Sequence, residues 1–356
     1  MAGSDRVDTI VVGLGVMGSA AAMALAATGR RVLGLDAAAP AHRAGGSGGE
    51  SRMLRRAYPS HPDYGPLTGP ARVAWLRLQE STGVPLFLTT GGLLVDRPGG
   101  PALRAAVEAA ERDGVPHRVL EPEELRRRFH PLRFGDVRGF LDEEAGVLLA
   151  EACVLALQHE AVRAGAELRF GRPVDLTDLL PRWADRHAVG DVRADVLVLA
   201  LGAWHGAADA WPPLAVERTV SFWLDPGGHD LGPGRVPFVE WADEAGEFCL
   251  LPALPGGVKV KFHHTGEPAG PPPRPVSGAE VAAAVARLRE VAGLDLRPRA
   301  ATASCYANTP DGRFVVAPHP TAPDVVVVSA CSGHGFKFAP VLADRVVAVT
   351  DARRAA

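Results

Sequence analysis

The fold of this chain is constrained most by its first β-branched run and the glycine-rich turn directly after it. Val7 to Val12 reads as a strand, Gly13-Leu14-Gly15-Val16-Met17-Gly18 as a turn, and Ser19 to Gly29 as an Ala-rich helix. Arg31 to Leu35 is then a second strand that ends at Asp36, 18 residues after Gly18. Strand, crossover helix and returning strand make a βαβ unit with parallel strands. Gly13, Gly15 and Gly18 permit a tight turn and close backbone approach to a pyrophosphate at the helix N-terminus, and Asp36 can accept from ribose hydroxyls. A bare Gly-x-Gly-x-x-Gly says little. In its full strand-turn-helix-strand-acid setting it predicts dinucleotide binding, without separating FAD from NAD.

The rest of the chain must build around that unit. Its 356 residues, 47% of them apolar, suit two domains with a sizeable core. Buried-strand patterns recur at Asp195 to Leu201, which leads into Gly202, and at Val325 to Ser329. Between them, Val216 to Leu224, Glu247 to Leu251 and Val258 to His263 have antiparallel character. The pattern predicts an α/β protein: a Rossmann-type nucleotide-binding domain from 1–58, 146–212 and 306–356, and an α+β, mixed-sheet substrate domain from 59–145 and 213–305.

Charge and cysteine usage exclude several classes of partner. A net charge of −3 gives no reason to expect nucleic acid or an anionic membrane. Arg126-Arg127-Arg128 follows Glu121, Glu123 and Glu124 and reads as a solvated helix face. Cys153, Cys249, Cys305 and Cys331 form no disulfide framework, and no metal-ligand pattern surrounds His263-His264. No signal peptide is evident and the Ala-rich run Ser19 to Thr28 is too short to span a bilayer, so the expected compartment is the cytoplasm.

Lysine usage is more informative. Of 38 cationic side chains, only Lys259, Lys261 and Lys337 are lysine. Such a chain keeps lysine where it needs a compact ammonium rather than a guanidinium fork. Lys259 lies in Gly-Val-Lys-Val-Lys-Phe, and Lys337 in Ser332-Gly333-His334-Gly335-Phe336-Lys337, a Gly-rich turn whose amides can face an anion. Cys305 lies in Ser304-Cys305-Tyr306-Ala307-Asn308-Thr309-Pro310-Asp311.

Together with Ser51-Arg52-Met53-Leu54-Arg55-Arg56-Ala57-Tyr58, these segments resemble the monomeric sarcosine oxidase family. It comprises FAD-dependent amine oxidases and includes N-methyltryptophan oxidase and an imino acid oxidase of the nikkomycin pathway. The resemblance runs from about Val11 to Val341. It implies a glutathione-reductase-like fold and FAD contacts from Gly13, Gly15, Gly18, Asp36, Ser47, Arg52, Gly202, Gly333, Gly335 and Lys337. It also implies that Cys305 bonds covalently to the flavin, that Lys259 activates oxygen, and that Arg52 lies against the same side of the ring. Arg55 and Lys337 would hold a substrate carboxylate, and His263 would line the catalytic cavity. Lys261 has no counterpart: one strand period from Lys259, it shares that face, as a second active-site cation or as a rim residue.

The departures from the family concern the substrate. Gly48-Gly49 stands where many members carry His-His, the cavity tyrosine falls near Cys249 or Phe248, Ser221-Phe222-Trp223 adds bulk, and the tail after Lys337 is short. The expected activity is oxidation of the C–N bond of a carboxylate-bearing secondary or cyclic amine, an N-methyl amino acid or imino acid other than sarcosine, free or carrier-tethered. Oxygen is the acceptor, imine and H2O2 the products, and a monomer the expected state. The alternatives are a flavin dehydrogenase that passes electrons to a quinone or carrier, and a non-catalytic or NAD-binding Rossmann protein.

Overall fold

The computed structural model describes residues 6–208, 211–243 and 246–354. The βαβ unit forms as the sequence predicts. The strand Arg6–Val12 passes through the glycine turn into the helix Val16–Ala27, and the strand Val32–Leu35 returns parallel to the first. The helix begins at Val16, ahead of its Ala-rich run, because Gly15 is its extended cap and Ser47 Oγ accepts from the Val16 amide at 2.9 Å.

The strand Val192–Leu199 inserts between Arg6–Val12 and Val325–Ser329, parallel to both. Segments far apart in sequence therefore share one sheet, in the order Val315–Pro318, Val325–Ser329, Val192–Leu199, Arg6–Val12, Val32–Leu35, Glu167–Arg169. Both faces of this sheet are buried. Ile10, Val12, Leu197 and Leu199 pack into one cluster with Trp183, while Val11, Val196, Val198 and Val326 pack into another with Leu25, Ala161 and Val346. Burial on both sides is why these strands read as unbroken apolar runs. Helices Ala150–Arg163 and Ala339–Arg354 supply Ala161 and Val346, beside Leu25 of the first helix.

A second sheet of eight strands has the order Arg297–Asn308, Ala215–Asp225, Gly257–His263, Gly246–Leu254, Phe238–Asp243, Gly92–Asp96, Arg138–Asp142, His117–Leu120. Its middle strands are antiparallel, and Phe238–Asp243 runs parallel to Gly92–Asp96. One face packs Val220, Phe222, Leu250, Val258 and Val260 with Leu288 of the helix Gly278–Ala292. The opposite face carries the polar residues of the cavity. The domain boundary expected between 305 and 306 falls inside the strand Arg297–Asn308. A small third sheet, Ser51–Leu54, Gly146–Leu149 and Phe87–Leu88, fixes the backbone at Arg52. Among the described residues, no helix is long and apolar enough to cross a membrane.

Candidate active site

One cavity of about 520 Å³ runs from the glycine turn to the second sheet, with Gly15, Asp36, Ser47, Lys259 and Lys337 in its wall. The turn has no room for side chains. A Cβ on Gly13 would sit 2.5 Å from the Ala200 carbonyl oxygen, and one on Gly18 would sit 1.7 Å from that of Gly13. Gly13 also has a φ of +90°. Asp36, 8% exposed, accepts from the Leu14 amide at 2.7 Å and the Ala38 amide at 2.8 Å. Ser47 closes over Gly15, and Gly202, at φ +55°, carries the strand-ending turn past the cavity. At the far end a Cβ on Gly335 would strike the Ala330 carbonyl oxygen at 1.7 Å. Gly333, at φ +72°, lies under His264 and Tyr306. A backbone cradle with a carboxylate beside it suits a dinucleotide.

The sheet supplies the chemical end. Strand alternation puts Lys259, Lys261 and His263 on one face of Gly257–His263 and Val258 and Val260 in the core. Cross-strand register continues that face: Lys261 pairs with Cys249 and Ser221, Lys259 with Leu251 and Trp223, and Cys249 with Glu240. Lys259 is 5% exposed; its Nζ donates to the Ser51 carbonyl at 2.9 Å and lies 5.5 Å from the Trp223 ring centre. Burial, then the charges of Arg52 and Lys261, hold its pKa well below the usual lysine value, against the pull of Glu50. Lys261 stands over the Tyr306 ring at 4.3 Å, and burial followed by Arg52 brings it down to about 7. His263 is held neutral by burial and by Lys261; its Nδ1 is buried without a partner, and its Nε2 lies 3.4 Å from the Tyr306 hydroxyl.

Arg52 faces the lysines from the opposite wall. Its guanidinium donates to the carbonyls of Gly46, Gly48 and Ser51 and lies over the Phe336 ring. Gly48-Gly49 thereby acquires a reason. A Cβ on Gly48 would lie 2.5 Å from Arg43 Cα, and Gly49 has φ +97°, so this loop turns its backbone oxygens rather than side chains toward Arg52. Glu50 is a further residue that sequence reasoning missed. It accepts from Trp223 Nε1 at 3.0 Å and from the Gly256 amide at 2.9 Å, tying the second sheet to the Gly48-Gly49 loop.

Beyond Lys259 and Lys261 lies the end of the cavity walled by Lys337 and Arg55. Lys337, 6% exposed, donates to the His334 carbonyl at 2.8 Å and lies 5.3 Å from the Tyr58 ring centre; burial and then Arg55 lower it to about 7. Arg55 lines the cavity with its guanidinium already paired. Its Nη1 donates to Glu240 Oε1 at 2.6 Å; burial opposes its charge, but Glu240, with Tyr58 and Glu247, outweighs that and raises its pKa. Tyr58 donates to His334 Nδ1 at 2.6 Å, while His334 Nε2 donates to the Gly312 carbonyl at 3.1 Å. Burial, then Lys337, pushes His334 down to about 3, so it is a neutral ring fixed at both nitrogens. A recess of about 350 Å³, walled by Arg55, His61, His263 and His334 among others, adjoins this end.

One expectation about a side chain changes, and one pair of alternatives is resolved. The unbroken register from Ala215–Asn308 to Trp223–Ala300 pairs Cys305 with Arg218, and Ser304 with Thr219. Tyr306 faces Lys261, so Ser304 and Thr302 share the cavity face. Cys305 shares the other face with Ala301 and Ala303, which pack on the substrate-side core. The covalent link to flavin expected at Cys305 is therefore corrected: the strand borders the cavity there, but alternation aims the thiol away from it. At the tyrosine position the same logic selects Cys249, which lines the cavity, over Phe248, which lies in the core.

Residues 8–349 match the family described as FAD dependent oxidoreductase. A monomeric sarcosine oxidase of Streptomyces avermitilis is 36% identical over 96% of this chain and 93% of its own length. An N-methyl-L-tryptophan oxidase of Yersinia pestis is 28% identical over 95% of this chain and 93% of its own. The solved structure of NikD, an unusual amino acid oxidase essential for nikkomycin biosynthesis, superposes in its open form with a TM-score of 0.79 at 21% identity, covering 97% of this chain and 94% of that one.

Proposed function

This chain belongs to the FAD-dependent oxidoreductase family, and from that premise we propose that it oxidises the C–N bond of a carboxylate-bearing secondary or cyclic amine with O2 as acceptor. The products are imine and H2O2. Bound FAD supplies the electron acceptor for the amine and the electron donor to oxygen. Gly13, Gly15, Gly18, Asp36, Ser47, Gly202, Gly333 and Gly335 hold it with Arg52, without a bond to Cys305. The substrate carboxylate sits between Lys337, which binds it, and Arg55, whose guanidinium Glu240 already holds, and Lys337 also meets the flavin. His263, neutral at the operating pH, lines the substrate side. Lys259 offers a desolvated ammonium where oxygen gains negative charge, and such a charge acts strongly where water is excluded. Lys261, on the same face, is a second active-site cation rather than a rim residue. The amine reacts as its neutral form, and the protein's task is orientation and electrostatics.

The observation that carries this reading is the burial of Lys259 on the same strand face as Lys261 and His263, in the wall of the cavity that begins at the glycine turn. Three further proposals accompany it: the division into a nucleotide-binding and a substrate domain, a monomeric state and a cytoplasmic location. With Cys249 and Trp223 in the wall, the preferred substrate is an N-methyl amino acid or imino acid other than sarcosine. Anaerobic mixing with a panel of such amines should bleach the flavin absorbance, and air should restore it with one H2O2 per turnover. Bleaching followed by indifference to air would replace the oxidase reading with a dehydrogenase.

A further inference from the structure

Glu240 has no part in the proposed reaction. It sits in mid-sheet, paired with Leu94 on one side and Cys249 on the other. Its neighbours Val239 and Trp241 point into the core, so Glu240 points to the cavity face. It is 7% exposed, and its carboxylate holds Arg55 at 2.6 Å. Its charge is also felt at Lys337, where it opposes the loss of the proton. At the end of the cavity assigned to the substrate carboxylate, two cations line the wall and one built-in carboxylate backs Arg55.

We propose that Glu240 sets substrate specificity: by occupying Arg55 with its own carboxylate and standing near Lys337, which it does not bond, it offsets the positive charge at that end, so the wild-type site accepts an uncharged amide or ester of its amine substrate almost as well as the acid. This rests on the assignment of Arg55 and Lys337 to the substrate carboxylate. A site with two free cations rejects a neutral analogue because both charges are left desolvated and unpaired. Here the pairing is internal. An incoming carboxylate gains little from Arg55 and is repelled by Glu240, while a neutral group leaves Arg55 paired. Glu247 lines the adjoining recess with Arg55 and its charge also favours the guanidinium, but the hydrogen bond to Arg55 comes from Glu240.

The test uses holoenzyme and two unreactive probes of one shape, cyclopentanecarboxylate and cyclopentanecarboxamide, titrated calorimetrically at pH 6.5. In wild type the two dissociation constants should lie within about threefold. In Glu240→Gln, which still accepts a hydrogen bond from Arg55, the carboxylate should bind at least about tenfold tighter than the amide. Glu240→Ala should show the same preference. Lys337→Met separates the two ways to fail. If Lys337→Met weakens carboxylate binding and Glu240→Gln leaves the ratio unchanged or favours the amide, the Glu240 proposal is wrong and the carboxylate assignment stands. If neither variant moves carboxylate binding, that assignment is wrong and the proposal goes with it.

Discussion

Replacing Lys259 with methionine removes a charge and keeps most of the apolar stem, so its effect can be estimated from the site. The Nζ is buried, and the hydrogen bond to Ser51 uses one of its three N–H donors. A unit negative charge arising about 4 Å from an ammonium gains about 4 kcal/mol at an effective dielectric of about 20. That ceiling corresponds to about 10³-fold in rate. Burial, Arg52 and Lys261 all favour the neutral amine, so only the protonated fraction contributes, and the expected slowing of reoxidation is about 10²-fold to 10³-fold. Reduction of the flavin by amine makes no comparable demand on this charge and should change within about threefold. The pH effect has a definite sign. The group is a cation below its lowered pKa and neutral above it, so wild-type reoxidation should fall as pH rises through that value, and Lys259→Met should lose this descent. Stopped-flow measurement of both half-reactions from pH 6 to 10 tests this. Equal slowing of the two halves, or a pH profile of reoxidation identical in wild type and variant, would refute the assigned role.

Other perturbations have equally direct readouts. Acid precipitation should leave the yellow colour in the supernatant for wild type and for Cys305→Ser alike, whereas Ser304→Cys puts a thiol on the cavity face and should transfer colour to the pellet. Wild-type colour in the pellet that Cys305→Ser abolishes would overturn the strand-face argument. Lys337→Met should weaken binding of a carboxylate inhibitor by about 2 kcal/mol, about 30-fold, with little change in reoxidation. Wild-type affinity for that inhibitor should decline as pH rises through about 7, where Lys337 loses its proton. Arg218 is 2% exposed and donates to Glu267, Glu280 and the carbonyls of Arg274 and Pro275. Arg218→Met should cost about 3 kcal/mol in thermal or denaturant unfolding, since it strands partly buried acceptors. Burial works against the Glu280 charge, but the hydrogen bonds from Arg218, Ser277 and Arg274 together outweigh it and hold that carboxylate well below its usual range. The resulting stability is complete above the unfolded carboxylate pKa of about 4.3 and is lost as pH falls. An unfolding midpoint insensitive to acid in that window would contradict the arrangement.

Much of the nucleotide-binding half was legible because its signals are local. A β-branched run, three glycines and an acid at the next strand end each specify backbone geometry within a few residues, and Val192–Leu199 and Val325–Ser329 announce themselves by burial on both faces. What failed was phase. The segment around Cys305 reads as a strand, but alternation has a period and no origin until a partner fixes which side is which. Tyr306 over Lys261 supplies that origin, and the thiol then falls on the wrong side for a tether. Glu240 escaped notice for a related reason. In Phe-Val-Glu-Trp-Ala-Asp a single acid between apolar residues reads as the solvent side of an edge strand. Its burial depends on neighbours at Leu94 and Cys249 and on Arg55, 185 residues away.

The scarcity of lysine, in contrast, pointed at the site from the start, and the geometry explains why. All three lysines line one cavity. Arginine in this interior keeps its charge only with donors satisfied: Arg52 donates to three carbonyls and Arg55 is matched by Glu240. A guanidinium so committed is a fixed part of the wall. An ammonium needs less. Lys259 is held by one carbonyl and Lys337 by one carbonyl, which leaves N–H donors directed away from the protein's own acceptors. Lysine also releases its proton when crowded by other cations, which relieves the repulsion among Lys259, Lys261 and Arg52. A negative charge arriving in the cavity restores that proton affinity, so the charge on the wall can rise as the charge to be stabilised appears. Arginine at 259 would remain charged throughout and would need acceptors that this strand face does not provide.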